Sequence, residues 1–281
     1  MRATQALPSE TARPVIHRTR GRRHGPITRL MSPSDLGEVV KPFVFLDLFD
    51  NVGGSFNDIG GLHPHSGIAT LTYVAEGSIR YEDTDGSAGL LTAGGVEWMR
   101  AGGGIWHGGG GGKPERTRGF QLWIALPPSL ELGPSHSLYQ DPAAIKTSGP
   151  ARVLLGEHER AISSITPPSP TNYLAVRLKR GESWRYQAPA GHTVLWIAVG
   201  AGIVAVPDEI EAGEMAVFES SNQAVVFEAR SDAEFVLGSS VPHPHDLVLG
   251  YYSVHTSPDA LRQGEARISR IHERLVAAGR L

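Results

Sequence analysis

The chain of 281 residues contains no cysteine. Disulfide bonds, thiolate metal ligands, zinc-ribbon sites and cysteine nucleophiles are therefore excluded, so any metal site must use histidine and carboxylate side chains. The absence of cysteine also fits a reducing compartment, and the N-terminal segment has no apolar run typical of a secretory signal. These two observations predict a cytoplasmic location.

Long apolar runs and a large net charge are also missing. No uninterrupted apolar stretch approaches the roughly 20 residues that cross a bilayer, so no membrane partner is expected. The formal net charge of −3 offers no global electrostatic reason to bind nucleic acid. One locally basic segment lacks interleaved aromatic residues for base stacking, so we interpret it as a solvated strand edge rather than a direct nucleic-acid site. It contains Arg18, Arg20, Arg22 and Arg23.

Short segments rich in β-branched, leucine and aromatic residues recur along most of the chain. Examples are PFVFLDLF, TVLWIAV and AVVFEAR, and clusters of glycine, aspartate and proline separate them. Such segments predict strands, and the near absence of long helical periods favours antiparallel sandwiches or barrels over alternating strands and helices. The predicted class is all-β.

A proline-rich segment, SITPPSPTNY, interrupts the strand pattern near the middle of the chain and predicts a linker. Each half has a glycine-containing turn before an apolar run, at Gly94–Gly95 and at Gly213–Glu214, which suggests duplication. The predicted division is a flexible N-terminus at 1–14, a first domain at 15–163, a linker at 164–173, a second domain at 174–256 and a helix at 257–281.

The C-terminal segment has the clearest helical pattern. Ser257 is suited to cap the first turn, Pro258 to the first helical position and Gly279 to the end of the helix. One apolar stripe recurs at helical spacing, at Leu261, Ile268, Ile271 and Leu275. We expect this helix to pack against a sheet face, with a partner-binding helix as the alternative.

The segment His63-Pro64-His65 is the sharpest chemical feature. In an extended strand, residues i and i+2 project to the same side, so two imidazoles can face one point. Pro64 removes a backbone donor, which suits a sheet edge. His107 follows a predicted hairpin and strand and is expected beside the first two histidines. Three neutral imidazoles suit iron, zinc, copper or nickel; the alternative is three surface or hydrogen-bonded histidines.

Two further motifs have no firm role. The glycine run Gly108–Gly112 before Lys113 does not match a phosphate-binding loop, which leaves a flexible loop that controls access to the site or a long hairpin connection. A second His-Pro-His, formed by His243 and His245 with His255 further on, allows a second site by the same strand geometry. No motif places a third ligand there, so these histidines remain unassigned.

Three segments of the first half resemble the N-terminal signature of the pirin family in order and spacing: KPFVFLDLFD, LHPHSGIATLTYVAEGSIRYEDTDG and AGGVEWMRAGGGIWHGG. The segment GYYSVHTSPDALRQ is similar to the closing segment of that family, so the resemblance covers most of the chain from about Val15. Pirins are bicupins. The resemblance therefore implies two facing cupin-type β-barrel or sandwich domains with a C-terminal helix.

The resemblance also implies one metal ion, with iron first and nickel, copper or zinc as alternatives. Pirin ligands are the two histidines of the His-Pro-His segment, the later histidine and a glutamate two residues beyond it. The matching positions are His63, His65 and His107, but Gly109 stands where the glutamate is expected. Loss of an anionic ligand leaves a divalent cation less neutralised and opens a coordination position, which puts metal occupancy in doubt.

Glu76 and Glu97 are the alternative sources of a carboxylate for this centre. Neither occupies the position at which the family has its ligand. We therefore expect both to be solvent-exposed or turn residues.

Two functions follow from the resemblance. Some pirins oxidatively open flavonols such as quercetin, which implies a metal-dependent, quercetin 2,3-dioxygenase-like oxidoreductase acting on a small enolisable aromatic. Other pirins act through protein partners, which implies a non-catalytic regulatory module with a degenerate metal site. An inert cupin scaffold is the third alternative, because a fold alone does not establish a function.

Overall fold

The computed structural model describes residues 13–52, 61–111 and 116–281. Strands dominate these residues, and two α-helices are present among them, α1 (Leu36–Val39) and α2 (Pro258–Ala277), with a short 3-10 helix at Pro142–Ala144. In chain order the strands are β1 (Val15–Thr19), β2 (Arg22–His24), β3 (Ile27–Met31), β4 (Phe43–Asn51), β5 (His63–His65), β6 (Ile68–Glu76), β7 (Ser78–Asp83), β8 (Ala88–Thr92), β9 (Val96–Arg100), β10 (Ile105–Gly111), β11 (Thr117–Ala125), β12 (His136–Gln140), β13 (Thr147–Ser148), β14 (Ala151–Leu155), β15 (Glu157–His158), β16 (Ala161–Ile162), β17 (Thr171–Leu178), β18 (Ser183–Tyr186), β19 (Val194–Ala201), β20 (Ile203–Val206), β21 (Asp208–Glu211), β22 (Met215–Phe218), β23 (Val225–Ala229), β24 (Ala233–Ser240), β25 (Val248–Gly250) and β26 (Ser253–His255).

The strands form two sandwiches, each made of a seven-stranded and a four-stranded sheet. In the first sandwich the large sheet has the order β12-β9-β6-β11-β4-β3-β2 and the small sheet β5-β10-β7-β8. In the second sandwich the orders are β1-β22-β19-β24-β17-β14-β13 and β18-β23-β20-β21. The predicted all-β bicupin architecture is confirmed, and neither sandwich closes into a continuous barrel within the described ranges.

The two large sheets pack against each other and form the main hydrophobic core. Phe43 of β4 meets Trp196 of β19 edge to face, with ring centroids 5.2 Å apart. Phe120 of β11 lies against Gly200, where a Cβ atom would come within 3.2 Å of its ring. Central strands such as β19 are therefore buried on both faces and read as continuous apolar runs rather than as alternating ones.

The interiors of the two sandwiches differ. The second sandwich is filled by aliphatic and aromatic side chains, among them Trp184, Phe227 and Phe235. The ring centroid of Phe227 lies 5.7 Å from that of Trp184 and 5.1 Å from that of Phe235. Aromatic rings therefore fill the interior of this sandwich. The first sandwich instead encloses a cavity of about 340 Å³.

Strand pairing crosses the predicted domain boundary in two places. Strand β1 pairs with β22, and β13 and β14 join the same large sheet, although all three precede residue 164. The linear division at 164–173 stays a prediction. Of the predicted flexible segment 1–14, residues 1–12 lie outside the described residues, whereas Arg13 is buried and its Nε donates to Glu219 O at 2.7 Å.

The basic segment near the N-terminus is paired with acidic residues of the same chain. Arg18 contacts Glu214 at 2.9 Å and Arg20 contacts Glu211 at 2.7 Å. These contacts agree with the interpretation of a strand edge, because the carboxylates offset part of the positive charge along β1.

Helix α2 confirms the prediction made for the C-terminal segment. Ser257 Oγ accepts a hydrogen bond from the backbone N–H of Ala260, and Ile268 and Leu275 of the predicted stripe are buried. The helix packs on the first sandwich, where Trp106 Nε1 of β10 donates to Ile268 O at 2.9 Å. Neither α-helix in the described part of the chain combines the length and apolar character of a membrane span.

The shared core predicts that both sandwiches depend on Phe120. We expect Phe120→Ala to lower the free energy of unfolding by roughly 3–5 kcal/mol, the usual cost of a large buried cavity. Chemical denaturation would measure the change, with Val226→Ala at a half-exposed position as the control. A loss below about 1 kcal/mol would contradict a core shared between the sandwiches.

Candidate metal centre

Strands β5 and β10 bring the three predicted histidines together. β5 is an edge strand, as predicted from Pro64, and it pairs with β10 so that His63 lies opposite His107. His63 and His65 project from the same face of β5. The ring centroids are 5.0 Å apart for His63–His65, 4.6 Å for His63–His107 and 5.0 Å for His65–His107. One ligand nitrogen from each ring lies within 4.8 Å of the other two.

Hydrogen bonds set the same tautomer in all three rings. Each Nδ1 faces an oxygen that can only accept, so each neutral ring carries its proton on Nδ1 and keeps a lone pair on Nε2. The pairs are His63 with Gly61 O at 2.8 Å, His65 with Tyr252 O at 3.1 Å and His107 with Glu97 Oε1 at 3.0 Å.

The free nitrogens fit a bound metal ion. Nε2 of His65 and Nε2 of His107 are buried and have no hydrogen-bond partner within the described ranges. A buried acceptor without a partner costs roughly 1–3 kcal/mol, so the arrangement is unfavourable unless something binds there. Three converging imidazole lone pairs are the donor set that zinc, iron, nickel and copper accept.

Burial keeps His63 and His65 neutral. It lowers the pKa of His63 to about 4, with the neighbouring His107 as a second cause. Burial also lowers the pKa of His65 well below its usual range, followed by the effect of His63. Because only a neutral imidazole binds metal, these two rings are ready for a cation at physiological pH without having to lose protons.

Glu97 differs from the prediction. It is only 6% exposed and lies behind His107, not in solvent or in a turn. Burial by itself would raise its pKa, but His107 and a hydrogen bond from Thr72 outweigh that effect, and the pKa is lowered. A charged residue inside the apolar strand segment VEWM was a local signal of this role, because such residues are rarely buried without a partner.

Glu76 is exposed, as predicted, and lies near Arg116 and Arg118. The side chain of Glu76 is 47% exposed, and its Oε2 lies 3.9 Å from Arg116 and 3.7 Å from Arg118. It therefore takes no part in the histidine cluster.

The second His-Pro-His does not form a comparable cluster. The rings of His243 and His245 are 5.3 Å apart, but His255 is engaged elsewhere: its Nδ1 lies 3.1 Å from Glu131 Oε2. Its Nε2 lies 3.0 Å from Ser66 Oγ. Across the described residues, His63, His65 and His107 are the group whose ligand atoms converge.

The glycine run is a strand, which corrects the predicted loop. Gly108 to Gly111 continue β10 and pair with β7, and Gly112 lies outside the described residues. A Cβ atom at Gly109 would come within 2.7 Å of Arg80 O and 3.2 Å of Ile79 Cγ2. Glycine permits this close approach of two backbones, and the pairing overrides its low strand propensity.

An aromatic wall lines the cavity beside the histidines. Phe45 and Trp123 stack with ring centroids 4.0 Å apart and planes 9° from parallel. The ring of His65 meets Trp123 edge to face at 4.8 Å, and the guanidinium of Arg29 lies 4.2 Å above Phe45. A planar ligand near the histidines would contact this wall. These residues were not predicted, because they come from strands far apart in the chain.

Tyr252 comes from the far end of the chain to complete the site. It lies in the turn between β25 and β26, lines the cavity and supplies the carbonyl that binds His65. Its backbone φ of +52° is unfavourable for residues other than glycine. Such backbone strain is concentrated at functional positions. No local sequence signal could pair it with a residue 187 positions away.

Comparisons with known proteins agree on one family. Residues 25–124 match the Pirin family. A pirin-like protein of Caulobacter vibrioides is 32% identical over 249 residues, which cover 83% of this chain and 85% of that protein. A Pseudomonas aeruginosa protein provisionally named quercetin 2,3-dioxygenase PA2418 is 30% identical over 241 residues, 80% of this chain and 84% of its own.

Solved structures share the fold. A quercetin 2,3-dioxygenase from Acinetobacter baumannii superposes with a TM-score of 0.79 at 23% identity, covering 92% of this chain and 95% of that one. The Escherichia coli pirin YhhW, solved in complex with nickel(II), superposes with a TM-score of 0.64 at 22% identity, covering 79% of this chain and 95% of that one.

The lowered pKa values of His63 and His65 predict that the stability of the protein depends on pH. The pKa of His63 is about 4 when folded against an ordinary value of 6.5, so between pH 6.5 and 4 only the unfolded state takes up this proton. We expect the free energy of unfolding of the metal-free protein to fall as pH is lowered through this window. Imidazole ¹⁵N spectra should show Nδ1–H tautomers, and a His63 that titrates near 6.5 would contradict the prediction.

Proposed function

We propose a function from one premise: this chain belongs to the pirin family of bicupin proteins. On that premise, His63, His65 and His107 bind one divalent metal ion, and the protein is an oxidoreductase of the quercetin 2,3-dioxygenase type acting on a small enolisable aromatic. The observation that carries the proposal is the pair of buried Nε2 atoms, on His65 and His107, that lack a partner in the described part of the chain.

Iron is the metal we propose, with nickel, copper and zinc as alternatives. Imidazole ligands accept all four ions, so the donor set alone does not choose among them. The family resemblance favours iron. The nickel(II) complex of YhhW supports a divalent ion in this fold.

Residues of this chain would hold the metal ion and orient the substrate. When bound, the metal would supply a redox centre with coordination positions open to a chelating anion and to O₂. Because imidazole binds metal as a neutral ligand, these three side chains would leave the charge of a divalent cation uncompensated, which favours an enolate over a neutral alcohol. The Phe45–Trp123 wall would hold the ring of the substrate beside His65 by stacking.

The surroundings of the site would also keep water away from the reacting atoms. His65 and His107 are 1% and 5% exposed, and the cavity walls are partly aromatic. Exclusion of water strengthens the electrostatic attraction between the site and an anionic substrate. The ring of Tyr252 would cover His63, from which its centroid lies 5.5 Å away.

Metal content is the first test. We expect untagged wild type to retain about one metal ion per chain after loading, measured by inductively coupled plasma mass spectrometry. His63→Ala with His65→Ala should lose it, because one remaining imidazole cannot hold the ion.

The second His-Pro-His provides a matched control. His243→Ala with His245→Ala removes the same number of histidines from the same tripeptide, and we expect it to retain the metal. Wild type that stays empty after anaerobic loading with Fe(II), Ni(II) and Cu(II) would contradict the metal centre. That result would favour the regulatory, protein-binding module.

Turnover is the second test. We expect metal-loaded wild type to consume O₂ in the presence of quercetin, followed with an oxygen electrode. Trp123→Leu should reduce kcat/KM about 2- to 12-fold with metal content unchanged, because it removes one ring of the stacking wall, an interaction worth roughly 0.5–1.5 kcal/mol beyond its buried area. Full metal loading without O₂ uptake would contradict the proposed substrate class but not the metal centre.

A further inference from the structure

Glu97 faces the histidine cluster because of the alternation along β9. Its neighbours Val96 and Trp98 belong to the core between the two large sheets, so Glu97 projects to the opposite face, into the cavity. It also pairs with Thr72 across β6 and β9. The position is thus determined by the strand register and not by a flexible loop.

The acceptor behind His107 differs from the other two. His63 and His65 donate to backbone carbonyls, which are neutral, whereas His107 donates to a carboxylate at 3.0 Å. A hydrogen bond to an ionised acceptor is about twice as strong as one between neutral groups. The carboxylate of Glu97 also transfers part of its negative charge to the imidazole ring, which makes Nε2 of His107 a better metal ligand.

No other cavity carboxylate among the described residues is free to do this. Asp47 also lines the cavity, but Arg29 binds it through two hydrogen bonds, of 2.8 Å and 3.0 Å. Gly109, two residues after His107, has no side chain, and the backbone of Arg80 leaves no room for one there. Glu97 is therefore the carboxylate that directly contacts the cluster.

A short relay holds Glu97 in place. Thr72 Oγ1 lies 2.7 Å from Glu97 Oε2 and 2.7 Å from Gln121 Oε1. A hydroxyl has one proton, so it donates to only one of them, and the ionised carboxylate is the stronger acceptor. When Thr72 donates to Glu97, both Glu97 oxygens accept hydrogen bonds. A rotation of the Gln121 amide would then turn Nε2, which has no partner within the described ranges, towards Thr72 Oγ1.

We propose that Glu97 is a positioning residue that supplies the negative charge of the metal centre through His107 instead of as a direct ligand. This inference rests on the proposed function of the histidine cluster. A divalent cation, one outer carboxylate and one enolate sum to zero charge, so the site would take a monoanionic chelator without a carboxylate ligand.

The test measures metal affinity, with Co²⁺ alone as the probe and a chromophoric chelator as competitor. Glu97→Gln can keep an oxygen that accepts from His107; it removes the charge and places an NH₂ donor beside Thr72. We expect it to raise the Co²⁺ dissociation constant about 10- to 100-fold, the usual cost of losing a group that orients a ligand. The imidazole proton of His107 should also shift upfield in NMR spectra of the metal-free protein, because its hydrogen bond weakens.

Two further variants separate this role from a structural one. Glu76→Gln removes an exposed carboxylate from the end of β6, and we expect the Co²⁺ affinity to be unchanged. Glu97→Asp keeps the charge but withdraws it by one methylene, and should give an intermediate affinity even if Glu97→Gln folds poorly. Unfolding by denaturant, without metal, checks that each variant is folded.

The outcomes distinguish this inference from the proposed function. Wild type that binds Co²⁺ while Glu97→Gln binds it equally well would overturn the role of Glu97 and leave the metal centre intact. An equal loss in Glu76→Gln would also overturn it, because the effect would then come from net charge alone. Wild type that binds no Co²⁺ would overturn both.

Discussion

The packing of the two seven-stranded sheets against each other is the interaction on which the rest of the structure depends. It buries one face of each large sheet and joins strands from both halves of the chain into one core, with Phe43, Phe120 and Trp196 at its centre. Because this core supplies much of the apolar burial, the interior of the first sandwich does not have to be filled with apolar side chains. Within the described residues, the second sandwich has no histidine cluster with converging ligand atoms, and it is filled with aliphatic side chains and aromatic rings.

The cavity of the first sandwich satisfies its polar groups almost completely. Arg29 and Asp47 neutralise each other, and a backbone or side-chain oxygen accepts the Nδ1 proton of each histidine. Among the cavity residues in the described ranges, the buried side-chain atoms left without a partner are Nε2 of His65, Nε2 of His107 and Nε2 of Gln121. The C-terminal hairpin and α2 return to this sandwich, where Tyr252 holds His65, so the end of the chain contributes directly to the geometry of the site.

The two His-Pro-His segments show how context decides the role of a motif. Both place two imidazoles close together, with ring centroids 5.0 Å apart in the first and 5.3 Å in the second. The first lies on an edge strand whose partner, β10, presents His107 directly opposite. In the part of the chain that the structure describes, the second lies outside the strands, and His255 is held by Glu131 and Ser66. A third ligand depends on cross-strand pairing, which a tripeptide does not encode.

Local patterns determined much of this protein: the all-β class, the capped C-terminal helix, the edge strand at Pro64 and the placement of His63 and His65 on one face of that strand. These features depend on short-range periodicity and on steric preferences of single residues, which the sequence carries directly. The tertiary structure alone decided that the glycine run is a strand, that β1 joins the second sandwich and that Glu97 and Tyr252 hold the site. Each of these depends on contacts between residues distant in the chain, where pairing and burial override local preference.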